Sequence, residues 1–294
     1  MTYDLVIGDR AYSSWSLRGW LLFDAFDIPV RSHRARLYTD ELPKLLADGY
    51  FPGRTAPTMR TPEGTVVPET IAIAEELASR HPQAGLWPLD PAARAAARVL
   101  VAEMHAGFSA LRNHCPMNLR VSYADCAPPP EVLADLERLQ QIWAWARSQT
   151  ASQTPWLCGE YSAADAFFAP VTARIAGYNL PVAAEAQAYV TAHLAHPSFR
   201  RWRAMGHADG PDQDFYRRDW PQRPWPGPTP IPAVAVEGTA SENSACPYSG
   251  KPVTHVLETG GDIGKRRFGF CNAFCRDKTV ADPAAWPKFM ALLA

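Results

Sequence analysis

Seven prolines crowd residues 211–232, and no other feature of the 294-residue chain constrains its folding as strongly. Proline fixes φ and lacks the amide proton that a helix interior or a central strand needs. The segment must therefore be extended, as a semi-rigid linker or as an arm lying on a surface. It separates a long N-terminal region from a tail, so the chain is read as several units. The residues that follow, 233–245, are small and polar and read as flexible.

The two sides of this break differ in pattern. From 1 to 82 strand and helix signals alternate. Tyr3, Leu5 and Ile7 fall at strand spacing, and a Gly-Asp-Arg-Ala-Tyr-Ser-Ser loop leads into a helix through Leu17, Trp20 and Phe23. Pro29-Val30 opens a second strand, Thr58–Arg60 and Thr65–Val67 read as a hairpin, and Thr70–Ser79 reads as a helix. The expected order is β-α-β, then β-β-α. From 90 to 210 the pattern is helical throughout, with Ala92–Leu111 as one long helix and Ser162-Ala-Ala-Asp165 as a capping-box start to another. Pro170 marks an early turn or a kink in that helix.

Composition excludes several classes. Lys and Arg number 29 and Asp and Glu 30, a balance that gives no general attraction to nucleic acid or to an anionic membrane surface. No apolar run reaches the roughly 18 residues of a membrane-spanning helix. The opening Met-Thr-Tyr-Asp has no secretory character, and six cysteines are too sparse for a disulfide scaffold. The expected location is the cytoplasm, with reduced thiols.

Chemistry concentrates in two places. The first is Tyr12-Ser13-Ser14-Trp15-Ser16-Leu17-Arg18, between a strand and a helix. Amides at a helix N-terminus favour an anion, and a serine hydroxyl there can donate to a thiolate or cap the helix. Thr55-Ala56-Pro57-Thr58 places a proline where a strand begins, which suits a cis turn or an ordinary loop. Pro68-Glu69-Thr70 opens a helix with an acid and a hydroxyl. His105, His114 and Cys115, at the end of the first long helix, read as packing residues or as a pocket wall, and Cys158 as a buried small hydrophobe.

In that order and spacing the motifs resemble the cytosolic glutathione transferases over about 210 residues. Ser13-Ser14-Trp15-Ser16-Leu17-Arg18 resembles the Ser-Ser-Cys-Ser-x-Arg motif of the zeta class, which includes maleylacetoacetate isomerases. Pro52-Gly53-Arg54-Thr55-Ala56-Pro57 resembles the family's Asn-Pro-x-x-x-Val-Pro, and Glu69-Thr70-Ile71-Ala72-Ile73 its Glu/Gln-Ser-x-Ala-Ile. The resemblance implies an α/β thioredoxin-like glutathione-binding domain over 1–82 and an all-α domain over 90–210. It implies a homodimer that conjugates or isomerises a small electrophile. Ser13 or Ser14 would stabilise the glutathione thiolate, with Trp15 among the residues that bind glutathione. The backbone of Ala56, before cis-Pro57, would pair with the cysteinyl part, Glu69 and Thr70 would hold the γ-glutamyl part, and Arg54 would meet the glycine carboxylate. Trp15 stands where the zeta class has cysteine, which argues for a glutathione transferase (EC 2.5.1.18-like) over an isomerase.

The second place is the tail, 246–294. Cys246, Cys271 and Cys275 follow a C-x24-C-x3-C pattern that suits a metal better than a cytosolic disulfide. The tail resembles the small treble-clef-like metal-binding units of the TRASH and YHS type, with Asp282-Pro283 further on, and zinc is expected over iron or copper because thiolate-rich knuckles usually carry it. Ser249 stands where a second knuckle cysteine would be. His255 is the obvious fourth ligand, with an Asp, a water or a neighbouring chain as alternatives; the cysteines could also be packed thiols. About 50 residues hold little core, so a metal would be a main stabiliser. The competing functional reading is a non-enzymatic metal- or redox-responsive binding protein on the transferase scaffold.

Overall fold

The structure, a computed structural model, describes residues 2–294. The chain divides into two compact units, one of Met1–Leu194 with Asp214–Pro226 and the other of Ala195–Gln213 with Gly227–Ala294.

The first unit opens with β1 (Tyr3–Ile7), α1 (Ser14–Asp24), β2 (Val30–Arg34), α2 (Glu41–Ala47), β3 (Thr58–Arg60), β4 (Val66–Pro68) and α3 (Thr70–Arg80). The strands form one sheet in the order β2-β1-β3-β4, with β1 parallel to β2 and the other neighbours antiparallel. All five residues of β1 are buried, because it is a central strand covered on both faces. Val6 packs with Leu46 and Tyr50 on one side, while Tyr3 meets the ring of Phe23 from α1 at 5.6 Å. The helix α2 is absent from the sequence expectation. It is a single short amphipathic stretch, and its Pro43 sits in the first turn, where the missing amide costs nothing.

The helical region follows as α4 (Pro91–Ala106), α5 (Ser109–His114), the short strand β5 (Ser122–Tyr123), α6 (Pro130–Thr150), α7 (Ala163–Gly177) and α8 (Ala184–Ala195). The long helix expected over Ala92–Leu111 is two helices. Gly107 ends α4 in an extended conformation and Phe108 turns left-handed at φ 61°, which re-aims α5. Helix α7 is buried along its whole length. Its capping residue Asp165 accepts from the Ser162 amide at 2.9 Å, the Leu157 amide at 3.2 Å and the Tyr189 hydroxyl at 3.0 Å.

Of the proline-rich segment, residues 214–226 belong to this first unit. A single turn, Asp214–Tyr216, stacks Tyr216 on Tyr12 with ring centroids 4.7 Å apart. After α9 (Pro197–His207), the strand β6 (Gln222–Arg223) pairs with β5, and Arg223 donates to the Ala176 carbonyl at 2.8 Å.

The second unit contains α9, an antiparallel meander β7 (Ala233–Val236), β8 (His255–Thr259) and β9 (Arg267–Phe270), then α10 (Ala273–Ala281) and α11 (Pro287–Met290). Three expectations change here. Helix α9, expected to close the helical domain, groups with the tail, and Arg200 holds Asp282 by two bonds of 2.8 and 2.7 Å. Residues 233–236 are an ordered strand, not part of a flexible stretch, because the edge of β8 offers them a partner. The tail therefore has more core than its length suggested: Val256, Leu257, Phe268, Phe270 and Phe289 are all fully buried.

Candidate functional site

The loop between β1 and α1 is tied to itself. The Asp9 carbonyl accepts from the amides of Tyr12 and Ser13 at 3.1 and 2.8 Å. Ser13 is the N-cap of α1: its oxygen accepts from the Ser16 amide at 3.3 Å, and its hydroxyl donates to Ser16 Oγ at 2.7 Å. Ser16 Oγ also accepts from the Gly8 amide at 2.9 Å. The protons of Ser13 and the lone pairs of Ser16 are thereby used inside the turn.

Ser14 is placed differently. Its Oγ accepts a 2.9 Å bond from Arg174 Nη2. The same guanidinium donates to the Cys115 carbonyl at 2.8 Å and the Pro170 carbonyl at 3.0 Å. Arg174 is buried, and burial together with the nearby Arg112 pulls it down to about 10. Because a guanidinium only donates, the Ser14 hydroxyl keeps its own proton for another acceptor.

Two further cations surround Trp15. The Arg18 and Arg112 guanidinium carbons lie 4.6 and 4.8 Å from its ring centroid, within cation–π range, and His105 meets its edge at 5.0 Å. Arg18 is fully buried, with one bond of 3.0 Å to the Phe167 carbonyl and its Nη1 unpartnered. Burial pulls Arg18 and His105 toward their neutral forms. Neither Arg112 nor Arg174 pairs with a carboxylate among the described residues, and Arg174, pulled down only to about 10, brings a positive charge that favours an anion here.

Ser14 and Arg174 line a cavity of about 710 Å3 whose wall also includes Ser13, Trp15, Ala56, Arg112 and Met117. Tyr12, Tyr38, Phe215 and Tyr216 make its aromatic side, where the Tyr38 and Tyr216 hydroxyls are 3.0 Å apart. Burial holds the Tyr216 phenol well above its ordinary range. Of the residues singled out in the sequence, Ser13, Ser14, Trp15 and Ala56 meet at this cavity, and the Ala56–Pro57 bond is cis. Pro57 is buried behind it against α1, where a Cβ on Gly19 would come within 2.7 Å of Pro57 Cγ. Arg54 and Glu69 are exposed and lie outside the cavity wall. Thr70 is fully buried, and its hydroxyl has no hydrogen-bond partner.

Sequence reasoning missed Arg174, Arg112, Tyr38 and Tyr216. A signal for Arg174 was present: in the apolar run of α7 it is the one basic residue. Tyr216 lies in the proline-rich segment, which its composition presents as a spacer.

The second cluster is in the other unit. Cys271 follows β9, and Cys275 is in the first turn of α10, whose N-cap Asn272 accepts from the Cys275 amide at 2.8 Å and donates to Cys271 Sγ at 3.3 Å. Cys246 opens a tight turn in which the Gly250 amide reaches the Cys246 carbonyl at 2.9 Å. The three sulfur atoms lie within 4.8 Å of one another. A tetrahedral zinc ion with Zn–S bonds of about 2.3 Å spaces its ligands about 3.8 Å apart, so the set fits zinc with little movement. The expected fourth ligand, His255, is not part of the cluster; its Nδ1 pairs with the Thr254 hydroxyl at 2.8 Å, and its place on β8 keeps it out of the set.

Residues 12–80 match the model of the glutathione S-transferase N-terminal domain. No curated protein sequence matches the chain significantly. Among solved structures, the chain is similar to a glutathione transferase homolog from Burkholderia gl BGR1 with bound glutathione, at 20% identity and TM-score 0.53, over 70% of this chain and 98% of that one. It is similar to a homolog from Sulfitobacter with bound glutathione, at 21% identity and TM-score 0.50, over 67% and 95%. Glutathione transferase Omega 3C from Trametes versicolor gives 17% identity and TM-score 0.53, over 73% and 91%. The chain thus carries the glutathione transferase fold, a thioredoxin-like domain followed by helices, with a glutathione S-transferase N-terminal domain over residues 12–80.

Proposed function

We propose that the protein is a glutathione-dependent transferase acting on a small electrophile. The observation that carries this reading is Ser14: it stands at the N-terminus of α1 on the cavity wall, with its oxygen held by Arg174 and its proton free to donate. In this reading glutathione supplies the nucleophile and the chain supplies the field around it. Ser14 donates to the sulfur, and the first turn of α1 together with Arg174 and Arg112 favours the thiolate over the thiol. The thiolate then forms a C–S bond to the electrophile, whose leaving group departs with the bonding electrons. The same cations favour an electrophile that carries a negative charge, and the Tyr12, Tyr38 and Tyr216 side of the cavity favours one with a flat apolar part.

Ala56, Glu69 and Thr70 are proposed to hold the peptide of glutathione, Ala56 from the cavity wall and Glu69 from the exposed start of α3. In the second unit Cys246, Cys271 and Cys275 are proposed to hold zinc, which would join β9, α10 and the Cys246 turn. The working form is proposed to be a cytoplasmic homodimer. Retention on immobilised glutathione and turnover of a generic electrophile test the enzymatic reading. A protein that ignores millimolar glutathione but carries stoichiometric metal would instead be a metal-responsive binding protein, a reading that the cysteine cluster favours.

A further inference from the structure

Three thiolates meet in the second unit without a fourth strong ligand from the chain. The turn that carries Cys246 ends at Ser249, three residues on, where a closed four-thiolate site would have its last sulfur. Ser249 Oγ donates to Cys271 Sγ at 3.2 Å, so the hydroxyl lies beside the cluster without adding a thiolate to it. A serine hydroxyl is a weak ligand for a soft cation, because it must lose a proton of very high pKa to compete with a thiolate. Ser249 is exposed, and Cys271 and Cys275 are only half-buried, so this side of the cluster faces solvent.

We propose that the cysteine cluster is an open three-thiolate metal site, whose fourth coordination position beside Ser249 exchanges water for a small-molecule thiol. The proposal rests on the zinc reading given above. Closed structural zinc sites use four protein ligands, whereas sites that exchange a ligand keep one position free. A divalent cation with three thiolates has a net charge of −1. An incoming thiol displaces the water, releases its proton to solvent and brings the set to −2. Lys278, on α10 three residues after Cys275, lies against the rings of Tyr248 and Trp286 at 3.9 and 4.0 Å, where its fixed charge offsets part of that build-up. Asn272 holds Cys271 and Cys275 in register while the fourth ligand changes.

The test uses the full-length protein loaded with Co2+ in place of zinc, because cobalt–thiolate absorption reports ligand number and type. One equivalent should bind, and Cys271→Ser and Cys275→Ser should each abolish the signal. Adding 2-mercaptoethanol should strengthen and shift the sulfur-to-cobalt band with no cobalt released to an indicator dye. Ser249→Cys should show the strengthened band before any thiol is added and give no response to it. A protein that binds no metal at all overturns the zinc reading and this proposal with it. Metal that binds stoichiometrically in a wild-type protein whose spectrum ignores the thiol overturns the open position alone and leaves the zinc reading standing.

Discussion

Arg174 donates a 2.9 Å hydrogen bond to Ser14, joining residues 160 positions apart in sequence. The bond fixes the Ser14 oxygen from the side of the helical region and leaves its proton toward the cavity. It also places a buried positive charge within one hydrogen bond of the serine. Arg174→Met should therefore raise the pKa of bound glutathione, so that activity appears at higher pH than in the wild type. Ser14→Ala should reduce turnover at neutral pH by roughly 10²-fold, the usual cost of losing one donor aimed at a developing anion. A pH–rate profile unchanged by both substitutions would remove Ser14 from the chemistry.

Ser13 should behave in the opposite way. Its hydrogen bonds to Ser16 are those of a helix cap, so Ser13→Ala should cost about 1 kcal/mol of stability. Thermal unfolding of the Ser13→Ala and Ser14→Ala proteins separates the two roles: the first should lower the midpoint more, and the second should lower turnover more.

Asp165 makes the first unit sensitive to pH. Burial raises its carboxyl from 3.8 to about 6, against the lowering effect of its hydrogen bonds to Ser162, Leu157 and Tyr189. A carboxyl raised in the folded state adds stability that is fully present below its unfolded value and is lost as pH rises through the folded one. Urea midpoints should therefore lose this contribution between pH 4 and pH 6. In Asp165→Asn that part of the slope should vanish; an unchanged slope would assign the pH dependence to other groups. Asp165→Ala, which leaves two buried amides and the Tyr189 hydroxyl without an acceptor, should cost about 3 kcal/mol.

Tyr216 ties the proline-rich segment to the cavity. Tyr216→Ala removes the stack on Tyr12 and the contact with the Tyr38 hydroxyl, and should raise KM for the electrophile more than for glutathione. Tyr216→Phe keeps the ring and should restore most of that loss. An equal effect of both substitutions would point to the hydroxyl and not the stack.

Metal removal should act on the second unit alone. A chelator should lower its unfolding midpoint while the core of Val256, Phe268, Phe270 and Phe289 keeps it folded at low temperature, which circular dichroism on warming would follow. Complete unfolding on chelation would show that the apolar core is insufficient by itself.

Most of the fold was legible because its signals are local. Caps such as Ser13 and the Ser162–Asp165 box, the proline density after 211 and the spacing of buried residues act within a few positions of the chain. They establish where helices start, that α7 has an acid at its head, and that the chain changes character after residue 210. The three cysteines could be nominated for the same reason, since their pattern is written in the sequence. What the tertiary structure alone decided is which distant groups meet. It brought Arg174 to Ser14, stacked Tyr216 on Tyr12, gathered Cys246 with Cys271 and Cys275 while leaving His255 outside, and assigned α9 to the tail. These encounters depend on how packed helices and strands aim their side chains, and no short window of sequence carries that information.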